Sequence, residues 1–234
     1  MADLSSFPIT SRWPAANPDV LQLYSTPTPN GVKVSIMLEE TGLAYEPHFI
    51  NIGQNETWGP EFLSLNPNGK IPAILDPHGP DGKPLALFES GTILIYLADK
   101  TGQFLPKDTG ARYETIQWVM LQMGGIGPMF GQFGFFHKFA GKDIEDKRPR
   151  DRYLNETKRL LGVLENRLTG RTFIMGDEMT IADIAIVGWI RTLIGFYEAR
   201  DMVDYDTLTA LPAWYDRMMQ RPAVQRGVDI PARP

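Results

Sequence analysis

Apolar and polar residues alternate through Leu21-Gln22-Leu23-Tyr24, which predicts a first strand. The period then changes. Val34, Met37, Leu38 and Thr41 share one helical face. Thr28 stands ahead of them as an N-cap, Pro29 as the first helical residue, and Gly42 follows as the closing residue. Residues 45–52 predict a second strand, and residues 53–70 are loop-rich. Ile71–Asp76 and Pro84–Phe88 flank the turn signal Gly79-Pro80-Asp81-Gly82, so they predict an antiparallel hairpin. Ser90–Lys100 predicts a helix with Ile93, Leu94 and Leu97 inward. The first hundred residues thus run β-α-β, then β-β-α.

After that the strand pattern stops. Ala111–His137 predicts a long apolar helix with a kink at Gly124-Gly125-Ile126-Gly127-Pro128. Arg150–Leu168 carries Tyr153, Thr157, Leu160, Leu164 and Leu168 on one stripe, with Gly170 behind it. Thr180-Ile181-Ala182-Asp183 reads as a capping box opening the next helix, and Pro212–Arg221 as a last short one. The expected organisation is an arm over 1–18, an α/β domain over 19–100, a linker over 101–111 and an all-helical domain over 112–234.

Composition narrows the chemistry. The 234 residues are 43% hydrophobic, enough to bury a core, and the net charge of −5 argues against a nucleic-acid partner. There is no cysteine, so disulfides, zinc-thiolate sites and a protein thiol nucleophile are excluded. If the protein does thiol chemistry, the thiol belongs to its ligand. His48, His78 and His137 share no metal-ligand spacing, and no metal is expected. The most apolar stretch, 181–196, carries Asp183 and Arg191, so no membrane partner is expected. No targeting segment is evident in residues 1–20, and a cytoplasmic location is the expectation.

Two stretches carry candidate chemistry. In Asn66-Pro67-Asn68-Gly69-Lys70-Ile71-Pro72 a proline stands at the entry to an apolar strand, where an Ile-Pro bond can be cis and leave the Ile71 backbone exposed. In Phe88-Glu89-Ser90-Gly91 a glutamate and a serine open an apolar helix, whose N–H groups, hydroxyl and dipole suit a carboxylate. A small peptide with a backbone and a free amino-acid end would fit across the two. Read alone, Thr28-Pro29-Asn30 is equally an N-cap without chemistry, and Ser90 equally a plain cap. Tyr24 and Ser25 are rival hydroxyls, with Tyr24 expected in the sheet.

These motifs, with Thr180 to Asp183, resemble the cytosolic glutathione transferases over roughly residues 20–222. The stretches Thr26-Pro27-Thr28-Pro29-Asn30-Gly31, Leu87 to Gly91 and Gly124 to Met129 are most similar to the bacterial Nu-class disulfide-bond oxidoreductases. The resemblance implies a thioredoxin-like N-terminal domain followed by a helical C-terminal domain, a homodimer, and glutathione or oxidised glutathione as ligand. It implies Thr28 and Asn30 near the glutathione sulfur as the catalytic pair. Glutathione contacts would come from Asn30, Thr57, Lys70, Ile71, Glu89, Ser90 and the helical-domain Arg152. Thr57 stands where members of the group often carry Gln, a departure that bears on one contact. Phe133 and His137 are candidates for an apolar substrate pocket, with a structural role as the plainer reading.

The implied activity is reduction of small disulfides by a bound glutathione thiolate, with organic hydroperoxide reduction as a second reaction. The alternatives are glutathione conjugation to electrophiles, thioether cleavage, or a non-catalytic glutathione-binding regulator. A threonine hydroxyl cannot act as a base near neutral pH, so its role would be hydrogen-bond stabilisation of the thiolate.

Overall fold

The first strand, β1 (Leu21–Ser25), is buried along its whole length and lies at the centre of a sheet. Its neighbours are β2 (Tyr45–Phe49), which runs parallel to it, and β3 (Ala73–Asp76), which runs antiparallel. β4 (Leu85–Phe88) pairs antiparallel with β3, so the order is β2-β1-β3-β4. This computed structural model describes residues 4–233.

The helices of this half in chain order are α1 (Ile9–Arg12), α2 (Gly31–Thr41), α3 (Pro60–Leu63) and α4 (Ser90–Thr101). The helical half supplies α5 (Thr109–Leu121), α6 (Gly127–His137), α7 (Arg148–Leu168), α8 (Ile181–Arg191) and α9 (Ala210–Met219), and α10 (Pro222–Gly227) ends the series. Contacts divide the chain into two units. Residues up to Gly102 join those from Pro222 onward, and Gln103–Arg221 form the other.

That division departs from the sequence reading at the C-terminus, which placed 112–234 in the helical domain. α10 instead packs on α2, where Ser35 Oγ donates to the Gly227 carbonyl at 2.6 Å. The N-terminal arm is docked: Leu4 and Ile9 are buried, and Trp13 packs edge-to-face with Tyr24 and Phe62. Residues 1–3 of the expected arm lie outside the described residues.

Within the first unit, α2 is buried on every side from Gly31 to Leu38 rather than along one stripe. Ile93, Leu94 and Leu97 of α4 are fully buried, as their spacing predicted, and Gly42 and Gly102 close α2 and α4 at positive φ.

In the second unit the expected kink is a π-helical turn, Gln122–Ile126, between α5 and α6. The glycine-rich face of α6 admits aromatic neighbours: a Cβ on Gly134 would lie 2.2 Å from the Tyr197 ring. α8 opens with the predicted capping box, and Asp183 is fully buried. Its carboxylate accepts from Thr180 N, Ile174 N and Trp214 Nε1, at 2.8–2.9 Å. Burial pushes this carboxyl group up, and those donors oppose the shift. Among the described residues no helix is long and apolar enough to cross a membrane.

Candidate functional site

Strand register gathers the candidate residues. Tyr24 pairs with Ala73, and Ala73 pairs with Phe88, so one row crosses β1, β3 and β4. The chain leaves that row at the same end of the sheet three times: forward from β1 to Thr28, backward from β3 to Pro72 and Ile71, and forward from β4 to Glu89. Ser25 pairs with Phe49, and Ile50 N donates to the Ser25 carbonyl at 2.9 Å, so the loop carrying Thr57 also leaves from this end.

The turn after β1 is built for close approach. Thr28 N donates to the Thr26 carbonyl at 2.7 Å, and the Thr28 carbonyl accepts the first helical bond from Val32 N at 3.0 Å. Thr28 Oγ1 accepts from Gly31 N at 3.2 Å, so Thr28 caps the helix while its own hydroxyl proton remains to donate. Asn30 is already in the right-handed helical region. Gly31 is required here, because a Cβ would lie 1.9 Å from the Thr26 carbonyl oxygen. The rival hydroxyls point to structure. Ser25 is fully buried and donates to the Thr26 carbonyl at 3.4 Å. Tyr24 is also fully buried and stacks on His48, and burial pushes its phenol well above the ordinary range.

At the second segment the Ile71-Pro72 peptide is cis and Ile71 is half-buried. The preceding loop is held from within: Asn66 is buried and its Nδ2 donates to the Lys70 carbonyl at 2.6 Å. The Lys70 residue itself is exposed. Thr57 is buried in a 3-10 turn, Glu56–Trp58.

At the third segment Glu89 is exposed and takes φ 70° and ψ 109°, a sparsely populated conformation for a non-glycine residue. Its carbonyl accepts from Ile93 N at 2.9 Å, and Ser90 behind it is buried. Arg152, Phe133 and His137 belong to the second unit. Arg152 is mostly exposed on α7, 4.0 Å from Glu156. Phe133 is fully buried and stacks on His137, whose Nε2 lies 3.0 Å from the Tyr197 carbonyl, so both are engaged in packing.

The family models for the glutathione S-transferase N-terminal and C-terminal domains match residues 19–99 and 127–222. The disulfide-bond oxidoreductase YghU of Escherichia coli is 43% identical over 216 residues, which covers 88% of this chain and 73% of that protein. The chain belongs to the glutathione S-transferase family.

Solved glutathione transferases agree closely with this one. That of Burkholderia graminis is 67% identical with a TM-score of 0.99, over 100% of this chain and 98% of its own, and was solved with two glutathione molecules bound per subunit. That of Pseudomonas putida is 61% identical with a TM-score of 0.96, over 98% of this chain and 99% of its own, with one glutathione disulfide bound per subunit.

One residue that bonds two of the candidate residues escaped the sequence reading. Lys33 is fully buried, and its Nζ donates to Asn30 Oδ1 at 2.9 Å and to Ser90 Oγ at 3.1 Å. It thereby joins the start of α2 to the start of α4. The available signal was a single lysine inside Val32-Lys33-Val34, three residues after Asn30, in the apolar first half of the helix.

Proposed function

We propose that this transferase reduces small disulfides with glutathione, and that the reacting sulfur is the ligand's. The observation that carries the reading is the common sheet end from which the Thr28, Ile71 and Glu89-Ser90 segments emerge, in a chain without cysteine. A glutathione laid across that end would meet Ser90 and Glu89 with its γ-glutamyl group and Ile71 with its cysteinyl backbone. Its sulfur would then lie by Thr28 and Asn30. Lys70 and Thr57 are assigned to the ligand's periphery.

A free thiol with a pKa near 8.5 is mostly protonated at neutral pH, and the thiolate is the nucleophile. The Thr28 hydroxyl and the Asn30 amide lower that pKa by donating to the anion, and the adjoining helix start adds its dipole. The thiolate attacks one sulfur of the substrate disulfide, forming a glutathione mixed disulfide and releasing one substrate thiolate. A second glutathione attacks the glutathione sulfur of that intermediate, releasing the second substrate thiol and leaving glutathione disulfide. Two glutathiones in the Burkholderia relative, and one glutathione disulfide in the Pseudomonas relative, correspond to the reductant and the product of this sequence. The name of YghU points the same way.

The test is glutathione-dependent reduction of 2-hydroxyethyl disulfide, coupled to NADPH consumption through glutathione reductase, for wild type and Thr28→Ala. Turnover in the wild type is expected to fall roughly 100- to 1000-fold in the variant, the range for losing one charge-stabilising donor, with glutathione still bound. Wild-type protein that binds glutathione and reduces no disulfide would overturn the reading in favour of conjugation or a binding protein.

A further inference from the structure

Lys33 holds three facts together. It lies in the buried part of α2, its side chain is fully buried, and its ammonium touches one side chain from each of two helix starts. A buried ammonium needs hydrogen-bond partners, and it can only donate. Asn30 must therefore turn its Oδ1 toward Lys33, which sends the amide Nδ2 the other way as a donor. Ser90 Oγ likewise accepts from Lys33, so one buried ammonium holds both side chains in place.

We propose that Lys33 is a positioning residue for glutathione. By donating to Asn30 Oδ1 and Ser90 Oγ together, it fixes the orientation in which both side chains meet the ligand. The inference rests on the glutathione reading of the site. It adds a residue that touches no ligand atom and couples the two ends of the binding surface. Hydrogen bonds linked in such a chain polarise one another, so the pair is stronger than its parts. Burial holds the Lys33 pKa down to about 7, and Glu89 opposes that shift. A bound anion acts in the same sense as Glu89, favouring the charged, donating form.

Lys33→Met keeps the length of the side chain and removes its three donors. Glutathione affinity is measured by calorimetry for wild type, Lys33→Met, Asn30→Ala and the double variant, with thermal unfolding of each. Lys33→Met is expected to weaken glutathione at least tenfold, and to raise KM for glutathione more than it lowers kcat. In the Asn30→Ala background the same substitution is expected to lose at least threefold less, because one of its two targets is gone. Lys33→Gln, which retains a neutral donor, should fall between wild type and Lys33→Met, and it serves as the probe if Lys33→Met does not fold.

An affinity for Lys33→Met, or for Lys33→Gln in its place, within twofold of wild type overturns the proposal. So does an equal loss with and without Asn30, which would mark general packing. Wild-type protein that binds glutathione but reduces no disulfide defeats the functional reading alone, since the affinities still decide the lysine's role.

Discussion

The starts of α4 and α8 differ in what satisfies their backbone donors. At α8 the chain does so itself. Thr180 Oγ1 accepts from Ala182 N at 3.3 Å, and Asp183 returns to Thr180 N while also holding Ile174 N and the Trp214 indole. At α4 the N-cap residue Glu89 makes no side-chain cap hydrogen bond, is exposed, and adopts a positive φ. A helix start closed from within serves folding. One left uncapped, at a sheet end shared with two other open segments, suits a carboxylate. The two motifs look alike as sequence, a hydroxyl residue opening an apolar helix, and their surroundings give them opposite uses.

The largest effect expected from this comparison is on stability. Asp183→Ala leaves buried donors unpaired and should cost about 3–5 kcal/mol, a fall in Tm of roughly 10 °C or more. Protein that does fold should bind glutathione as wild type does. A normal Tm with lost turnover would reverse the assignment of α8 to structure.

Ser90→Ala should do the converse. It removes the proposed contact to the ligand and one partner of Lys33, so glutathione affinity should drop roughly 10- to 100-fold. The stability loss should stay near 1–2 kcal/mol, within the range for leaving one buried donor without a partner. Calorimetry and thermal unfolding of the same sample separate the two. A larger loss of stability than of affinity would make the starts of α4 and α8 equivalent and dissolve the contrast.

Much of the fold was legible because its signals are local. Alternation marked β1, the turn at Gly79 to Gly82 marked the hairpin of β3 and β4, and Gly42 marked where α2 ends. Thr180 to Asp183 announced their cap by type and spacing alone. The features that escaped are long-range. Nothing near Pro222–Gly227 says that α10 returns to α2, because the contact of Ser35 with Gly227 spans most of the chain. The arm followed the same rule, since Ile9 is buried only by what folds over it.

The site divides the same way. Ile71 and Glu89-Ser90 were singled out from turn and cap chemistry and Thr28 from the family resemblance, and sheet register brings their segments to one end. Lys33 reads locally as the polar position of an amphipathic helix. Only the packing of α4 against α2 buries it and makes it a bridge. For Phe133 and His137 the sequence offered a pocket and, as the plainer reading, a structural role; the pair stacks within the helical unit.

The central claim is that the start of α2 stabilises a thiolate belonging to the ligand. The most direct test is to titrate the ultraviolet absorbance of the thiolate of glutathione bound to the wild-type protein and to Thr28→Ala. The account predicts that the bound thiol titrates at least about one pH unit below the value near 8.5 of a free thiol, and that the shift shrinks in the variant. A bound thiol that titrates in the wild type as it does free in solution would contradict it.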